Sequence, residues 1–218
     1  KAKASLPGLL NKVTAKQVVV DMGSTKAGIC AAVSDHENRD RFVASHPIAG
    51  TENVGPTAAI PSLFRGKMTI ICDRNLSDDD ALNHILALYR ALEMEIIFMP
   101  ADEHDKHIAY VSHLSHISSF TLGLTVLEME KNERNIFNLA GSGFASTVRL
   151  AKSSPDMWAP IFEQNSDNLL AAMDTYIEQL TAFREDIAQQ NREGLHERMQ
   201  NANKIRRILD GIALKSKK

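Results

Sequence analysis

The chain has 218 residues, 44% of them apolar, and 25 Lys and Arg against 27 Asp and Glu give a net charge of -2. That apolar content builds the core of one large or two small domains and excludes a wholly disordered chain. The balanced charge, with Lys and Arg scattered and only Lys215, Lys217 and Lys218 clustered in a tail, argues against nucleic acid as a partner, and no apolar run of about 20 residues or signal peptide points to a membrane or to secretion.

Residues 6–13 read as the end of a helix, and 17–22 (QVVVDM) as a short, continuously apolar strand of the kind buried in a parallel sheet. Gly23-Ser24-Thr25-Lys26 follows at a strand-to-helix junction. Gly allows a tight turn there, Ser or Thr offers a capping hydroxyl, and the backbone offers free N–H groups; residues 27–33 continue as a helix. An ordinary capped helix is the plainer reading of the same residues. After a polar loop over 35–40, residues 41–45 form a second strand ending at His46-Pro47. The residue before proline is driven to extended geometry, so His46 belongs at the carboxyl end of its strand, where open α/β sheets bind ligands. The loop from residue 48, with Thr51, Glu52 and breakers at Gly55, Pro56 and Pro61, is a long irregular segment of a kind more often functional than idle. A third strand over 67–72, an amphipathic helix over 77–92 and a fourth strand over 95–99 complete an alternation that argues for a doubly wound α/β sheet. No strand pattern returns after Pro100. The expected division is an α/β domain over 1–100 and an all-helical domain over 101–218.

Residues 101–131 have no proline, acid at the start and Lys131 at the end, so they read as one long helix. At about 100° per residue, Asp105, Ser112, His116, Ser119 and Gly123 share a narrow stripe, with His113 about 60° from His116. The rest of the circumference is largely apolar, which predicts burial, and a buried Ser and His stripe needs partners. That stripe is the candidate site wall. Hydrogen-bonded structural histidines are the plainer reading for any one of His104, His107, His113 and His116. A zinc site is disfavoured, since these His pairs are spaced three apart rather than four. Residues 133–140 continue helically, and Gly141-Ser142-Gly143 reads as a turn, since it lacks the third Gly of a dinucleotide fingerprint and follows a helix. Arg149 lies in an apolar setting, Ser154-Pro155-Asp156 caps the next helix, and helices from Ser166 and around Leu195 carry apolar stripes suited to pairing with a second copy. Cys30 and Cys72 have no CxxC or metal spacing, so a reducing cytoplasm is expected.

In this order, Asp21-Met22-Gly23-Ser24-Thr25-Lys26, His46-Pro47-Ile48-Ala49-Gly50-Thr51-Glu52, Leu63-Phe64-Arg65-Gly66-Lys67, Ala101-Asp102-Glu103-His104-Asp105, Ser112-His113-Leu114-Ser115-His116 and Arg149 with Trp158 resemble the prephenate dehydrogenase family across about residues 17–160. The resemblance implies the C-terminal part of a Rossmann-type dinucleotide-binding domain followed by a helical dimerisation domain. It implies NAD(P)-dependent oxidative decarboxylation of prephenate to 4-hydroxyphenylpyruvate in tyrosine biosynthesis, by a homodimer. Within it His46, Ser24 and His116 are the catalytic residues, His46 being the base for the substrate 4-hydroxyl. Arg149, Ser112, His113, Thr51 and Glu52 bind substrate, and Gly23, Ser24, Thr25 and Lys26 meet the cofactor, NAD or NADP. The rate should then fall below about pH 6.5, the unperturbed imidazole value. Arogenate dehydrogenase is the nearest alternative. No GxGxxG precedes Gln17, so a non-catalytic truncated subunit that dimerises and binds substrate is the other.

Overall fold

The computed structural model describes residues 2–50, 55, 59–130 and 139–215. Thr51, Glu52 and the helical continuation expected over 131–138 lie outside the described residues. The chain divides into two compact units, residues 1–169 and 170–218.

The first unit holds a single sheet of β1 (Val19–Asp21), β2 (Phe42–Ile48), β3 (Met68–Cys72) and β4 (Glu95–Met99), in that spatial order. β1 and β2 are parallel, with Asp21 opposite Ala44, and β3 and β4 are parallel, with Cys72 opposite Met99. β2 and β3 are antiparallel, with His46 opposite Ile70. The sheet is therefore mixed, where the strand and helix alternation predicts parallel pairing. The short helix α2 (Ala27–Ala31) stands between β1 and β2, and α3 (Asp79–Ala91) between β3 and β4. Among the described residues no α-helix separates β2 from β3, and without a crossover helix the chain pairs back on itself. β2 also runs past His46 and Pro47 to Ile48. Proline is tolerated there because β1 has already ended at Asp21, which leaves that side of β2 without a ladder.

Side chains alternate across the sheet and sort the core into two layers. Phe42, Ala44, Ile70 and Cys72 face one way and pack on Leu6 and Leu10 of α1 (Ala2–Leu10), on Ile29 and Cys30 of α2, and on Ala101. Val43 and Ile71 face the other way, against Ala81, Ile85, Leu86 and Tyr89 of α3. The Tyr89 hydroxyl lies 2.6 Å from Ser45 Oγ, which donates to the Asp21 carbonyl at 2.8 Å and ties the ends of β1 and β2 together.

The long helix forms as expected up to Glu130, but a π-turn interrupts it: α4 (Ala101–Ile108), the π-turn Ala109–His113, then α5 (Leu114–Glu130). Its burial departs from expectation, since Val111 is 73% and Leu124 68% exposed. Gly141-Ser142-Gly143 does not end as a bare turn, because Ser142 opens the short helix α6 (Ser142–Thr147). A 3-10 turn over Arg149–Lys152 leads to α7 (Pro155–Gln164), which starts after Ser154 as its Pro predicts. The helix α8 (Ser166–Ala188) follows. Within the second unit Asp186 accepts from Arg198 Nε at 2.6 Å and from Asn191 Nδ2 at 2.8 Å, closing the corner into α9 (Arg192–Ala202), and α10 (Arg206–Lys215) completes the described chain. Among the described residues no helix is long and apolar enough to cross a membrane.

Candidate active site

The strand alternation that buries Phe42 and Ala44 on the α1 and α2 side puts His46, two residues on, toward the same side, where α4 also packs. His46 Nδ1 stands 2.8 Å from His104 Nε2, with the rings nearly edge to face. His104 Nδ1 stands 2.7 Å from Asp105 Oδ1. The Asp105 carboxylate also accepts the backbone N–H of Lys26 at 2.7 Å and of Ala27 at 2.8 Å. Burial opposes the Asp105 charge, but the bonds from His104 and from these two N–H groups outweigh it and hold the group below the usual carboxylate range.

The proton positions follow link by link. An ionised carboxylate only accepts, so His104 Nδ1 carries a proton, and in the neutral form of that ring Nε2 presents a lone pair. His46 Nδ1 must donate to that lone pair. The other nitrogen of His46, Nε2, is then left bare. Burial, and next the neighbouring His104, push the His46 pKa down to about 3, so this ring is neutral at physiological pH. A neutral imidazole with its Nδ1–H committed and Nε2 free is a general base of defined orientation.

The second group of side chains follows the π-turn. His116 Nδ1 donates to the Ser112 carbonyl at 2.9 Å, so its Nε2 is an acceptor, and its ring stacks on Trp158 of α7 with 3.5 Å between centroids. His113 is buried edge-on to Trp158 and Phe162, and burial pushes its pKa down to about 4. Burial also lowers His116, and the Arg149 charge adds to the effect, which places that guanidinium within electrostatic reach of the ring. His113 in turn contributes to the depression at His46, so the two histidine groups share one electrostatic neighbourhood. Ser119 Oγ donates to the Thr147 carbonyl, and Gly123 lies beside Ala151, so the lower part of the stripe packs on α6 and the 3-10 turn. The indole N–H of Trp158 is buried with no acceptor among the described residues. Such a donor costs about 1–3 kcal/mol until an acceptor reaches it.

The Gly23 to Lys26 turn departs from the sequence expectation. Two of its four N–H groups are committed: Gly23 N–H donates to Asp21 Oδ1 at 3.2 Å, and that of Lys26, like that of the next residue Ala27, serves Asp105. Neither hydroxyl caps α2. Thr25 Oγ1 donates to Gln164 Oε1 of α7 at 3.1 Å, and the Lys26 ammonium is wholly buried in an ion pair with Asp21. Parallel pairing carries Gly23 and the half-buried Ser24 past Asp21 at the sheet end where His46 follows Ala44.

Among the residues expected from sequence, the structure gathers His46, His113, His116, Ser112 and Arg149 around α4, α5 and α7, and leaves Thr51 and Glu52 outside the described residues. Sequence reasoning did not single out His104 and Asp105 as the groups that orient His46, nor Asn165. An acid adjacent to a histidine at the start of a long helix was the available signal. Its meaning needed the partner strand.

The sequence profile of the prephenate dehydrogenase nucleotide-binding domain matches residues 4–98, and that of the prephenate dehydrogenase dimerization domain matches residues 100–201. A cyclohexadienyl dehydrogenase of Zymomonas mobilis is 31% identical over 95% of this chain and 70% of its own length. A prephenate dehydrogenase of Bacillus subtilis is 28% identical over 92% of this chain, which spans about half, 53%, of that relative. Among solved structures, a prephenate dehydrogenase from Aquifex aeolicus in complex with hydroxyphenyl propionate and NAD+ superimposes with a TM-score of 0.82 at 28% identity, covering 94% of this chain and 73% of that one. A Synechocystis arogenate dehydrogenase gives 0.79 at 25% identity, over 94% and 74%. With both domain profiles matched in order and a relative above 30% identity along nearly the whole chain, this polypeptide belongs to the prephenate dehydrogenase family.

Proposed function

We propose that this chain carries the substrate side and the nicotinamide end of an NAD-dependent dehydrogenase that converts prephenate to 4-hydroxyphenylpyruvate and CO2 in tyrosine biosynthesis. The observation that carries the reading is the chain of hydrogen bonds from Asp105 through His104 to His46, which leaves a neutral imidazole with Nε2 bare. His46 takes the proton of the substrate 4-hydroxyl at that nitrogen. NAD rather than NADP, when bound, would supply the hydride acceptor for the carbon that bears the hydroxyl. Release of the ring carboxylate as CO2 is driven by aromatisation, so the chain's remaining task is to position a dianion. Arg149 pairs with a substrate carboxylate, which a guanidinium does bidentately. Ser112, His113 and His116 contact the substrate from the long helix, and Thr51 and Glu52 also bind it. Gly23 and Ser24 meet the nicotinamide; Thr25 and Lys26 support that turn through Gln164 and Asp21.

The nucleotide-binding part ends near residue 100 and residues 101–218 bind substrate and pair two copies, in keeping with profiles that meet at 98 and 100. The compartment is the cytoplasm, which suits the free buried thiols of Cys30 and Cys72. Arogenate is the second candidate substrate, favoured by the likeness to the Synechocystis arogenate dehydrogenase and to the Zymomonas cyclohexadienyl dehydrogenase. The purified chain is given NAD with prephenate or arogenate, NADH is followed, and hydroxyphenyl propionate binding is titrated by calorimetry. Turnover of prephenate is expected, and turnover of arogenate alone would move the assignment to that substrate. Failure to turn over either, together with failure to bind the analogue, would overturn the reading.

A further inference from the structure

We infer that Asn165 is a positioning residue of the substrate site: its side-chain amide fixes His113 in the tautomer with a bare Nδ1 and a protonated Nε2, so that this ring offers its ligand an N–H donor. The inference rests on the proposal that His113 lines the substrate site. Asn165 ends α7, is only 4% exposed, and its amide is oriented by two partners that do not involve His113. Its Oδ1 accepts from Asn168 Nδ2 at 2.8 Å, and its Nδ2 donates to the Asp105 carbonyl at 2.7 Å. A flipped amide would set oxygen against oxygen at that carbonyl and nitrogen against nitrogen at Asn168. The second N–H of Nδ2 is then left for His113, whose Nδ1 stands 3.3 Å away. A ring nitrogen facing a donor must present its lone pair, and a neutral ring has only one proton, which goes to Nε2.

The consequence is chemical complementarity among three rings. His46 and His116 spend their Nδ1–H groups on His104 and on the Ser112 carbonyl and keep Nε2 as an acceptor. His113 is set the opposite way. A substrate with a hydroxyl to deprotonate and carboxylates to hold meets an acceptor at His46 and a donor at His113. Asn165 also braces the backbone of Asp105, the residue that orders His104 and His46, one turn before the π-turn begins.

The test is the protonation pattern of the His113 ring, read from long-range proton–nitrogen NMR spectra of the full chain labelled with nitrogen-15 histidine. At pH 7 Nδ1 should be bare and Nε2 protonated. Asn165→Asp keeps the shape but replaces the donor with an acceptor, so the proton should move to Nδ1. In the enzyme assay this variant should raise KM for the substrate about tenfold while kcat changes less than about threefold. A residue that merely braced the helix would lower thermal stability and leave the tautomer alone. A His113 protonated at Nδ1 in the unmutated chain, or an unmoved tautomer in folded Asn165→Asp, would overturn the inference. Should Asn165→Asp fail to fold, the spectrum of the unmutated chain decides alone. The spectra need no turnover, so failure of the dehydrogenase assay and failure of this assignment are told apart.

Discussion

At the scale of single residues, what matters most about His46 is which nitrogen is bare and at what pH it stays so. Its Nδ1 is committed to His104, and burial together with that neighbour pushes its pKa down to about 3. The expected fall in rate below about pH 6.5 therefore gives way to a different prediction: kcat/KM, which reports the free protein, shows no inflection near that value. An inflection near 6.5 in the unmutated chain that vanishes in a His46 variant would refute it. His46→Asn should lower kcat by roughly 10² with little change in KM, the scale of losing a general base, as steady-state kinetics will show. The same shift has a sign for stability. His46 and His113 are held neutral in the fold, at about 3 and about 4, but titrate near 6.5 when unfolded. Below about pH 6.5 the unfolded chain binds more protons, so stability is full above that pH and declines as pH falls toward 4. Urea midpoints measured across this window should fall, and the slope should be shallower in His113→Asn.

At the scale of elements, α2 begins on a carboxylate supplied by α4. The five-residue α2 has no cap of its own, and its first N–H groups are satisfied across the fold by Asp105. One side chain thus docks α2 on α4 and holds the Nδ1–H of His104. Asp105→Asn keeps the size of the group but removes the anion that obliges His104 to donate. Stability in urea should drop by about 1–3 kcal/mol, and kcat should fall by more than about tenfold, because the wrong histidine tautomer disables a base without moving it. A variant that loses stability at unchanged kcat would show that the carboxylate only caps the helix. The π-turn belongs to this scale as well. It inserts its extra residue between Asp105 and His113 and so resets which side chains past it face α7.

At the scale of the whole molecule, the exposed apolar residues call for a partner. Leu124 and Leu127 on α5, and separately Leu180 and Ile187 on α8, stand largely open, within the residues matched by the dimerization profile. Unsupported apolar faces of that kind mark association surfaces. Light scattering should give a mass twice that of one chain, and Leu127→Glu or Leu180→Glu should shift it toward the monomer. A monomeric unmutated chain would remove the pairing.

The sequence by itself determined the four strands, the long helix, His46 near the end of its strand and the Ser and His stripe. Each rests on local rules: apolar runs, the proline after His46, and spacing along one helix. Tertiary structure alone decided the antiparallel joining of β2 to β3, the commitment of the Gly23 turn to Asp21 and Asp105, and the burial that lowers His46. It also decided the role of Asn165, sixty positions from the Asp105 carbonyl it holds. Hydrogen-bond partners and desolvation depend on what long-range packing brings together, and no spacing within a single element encodes them.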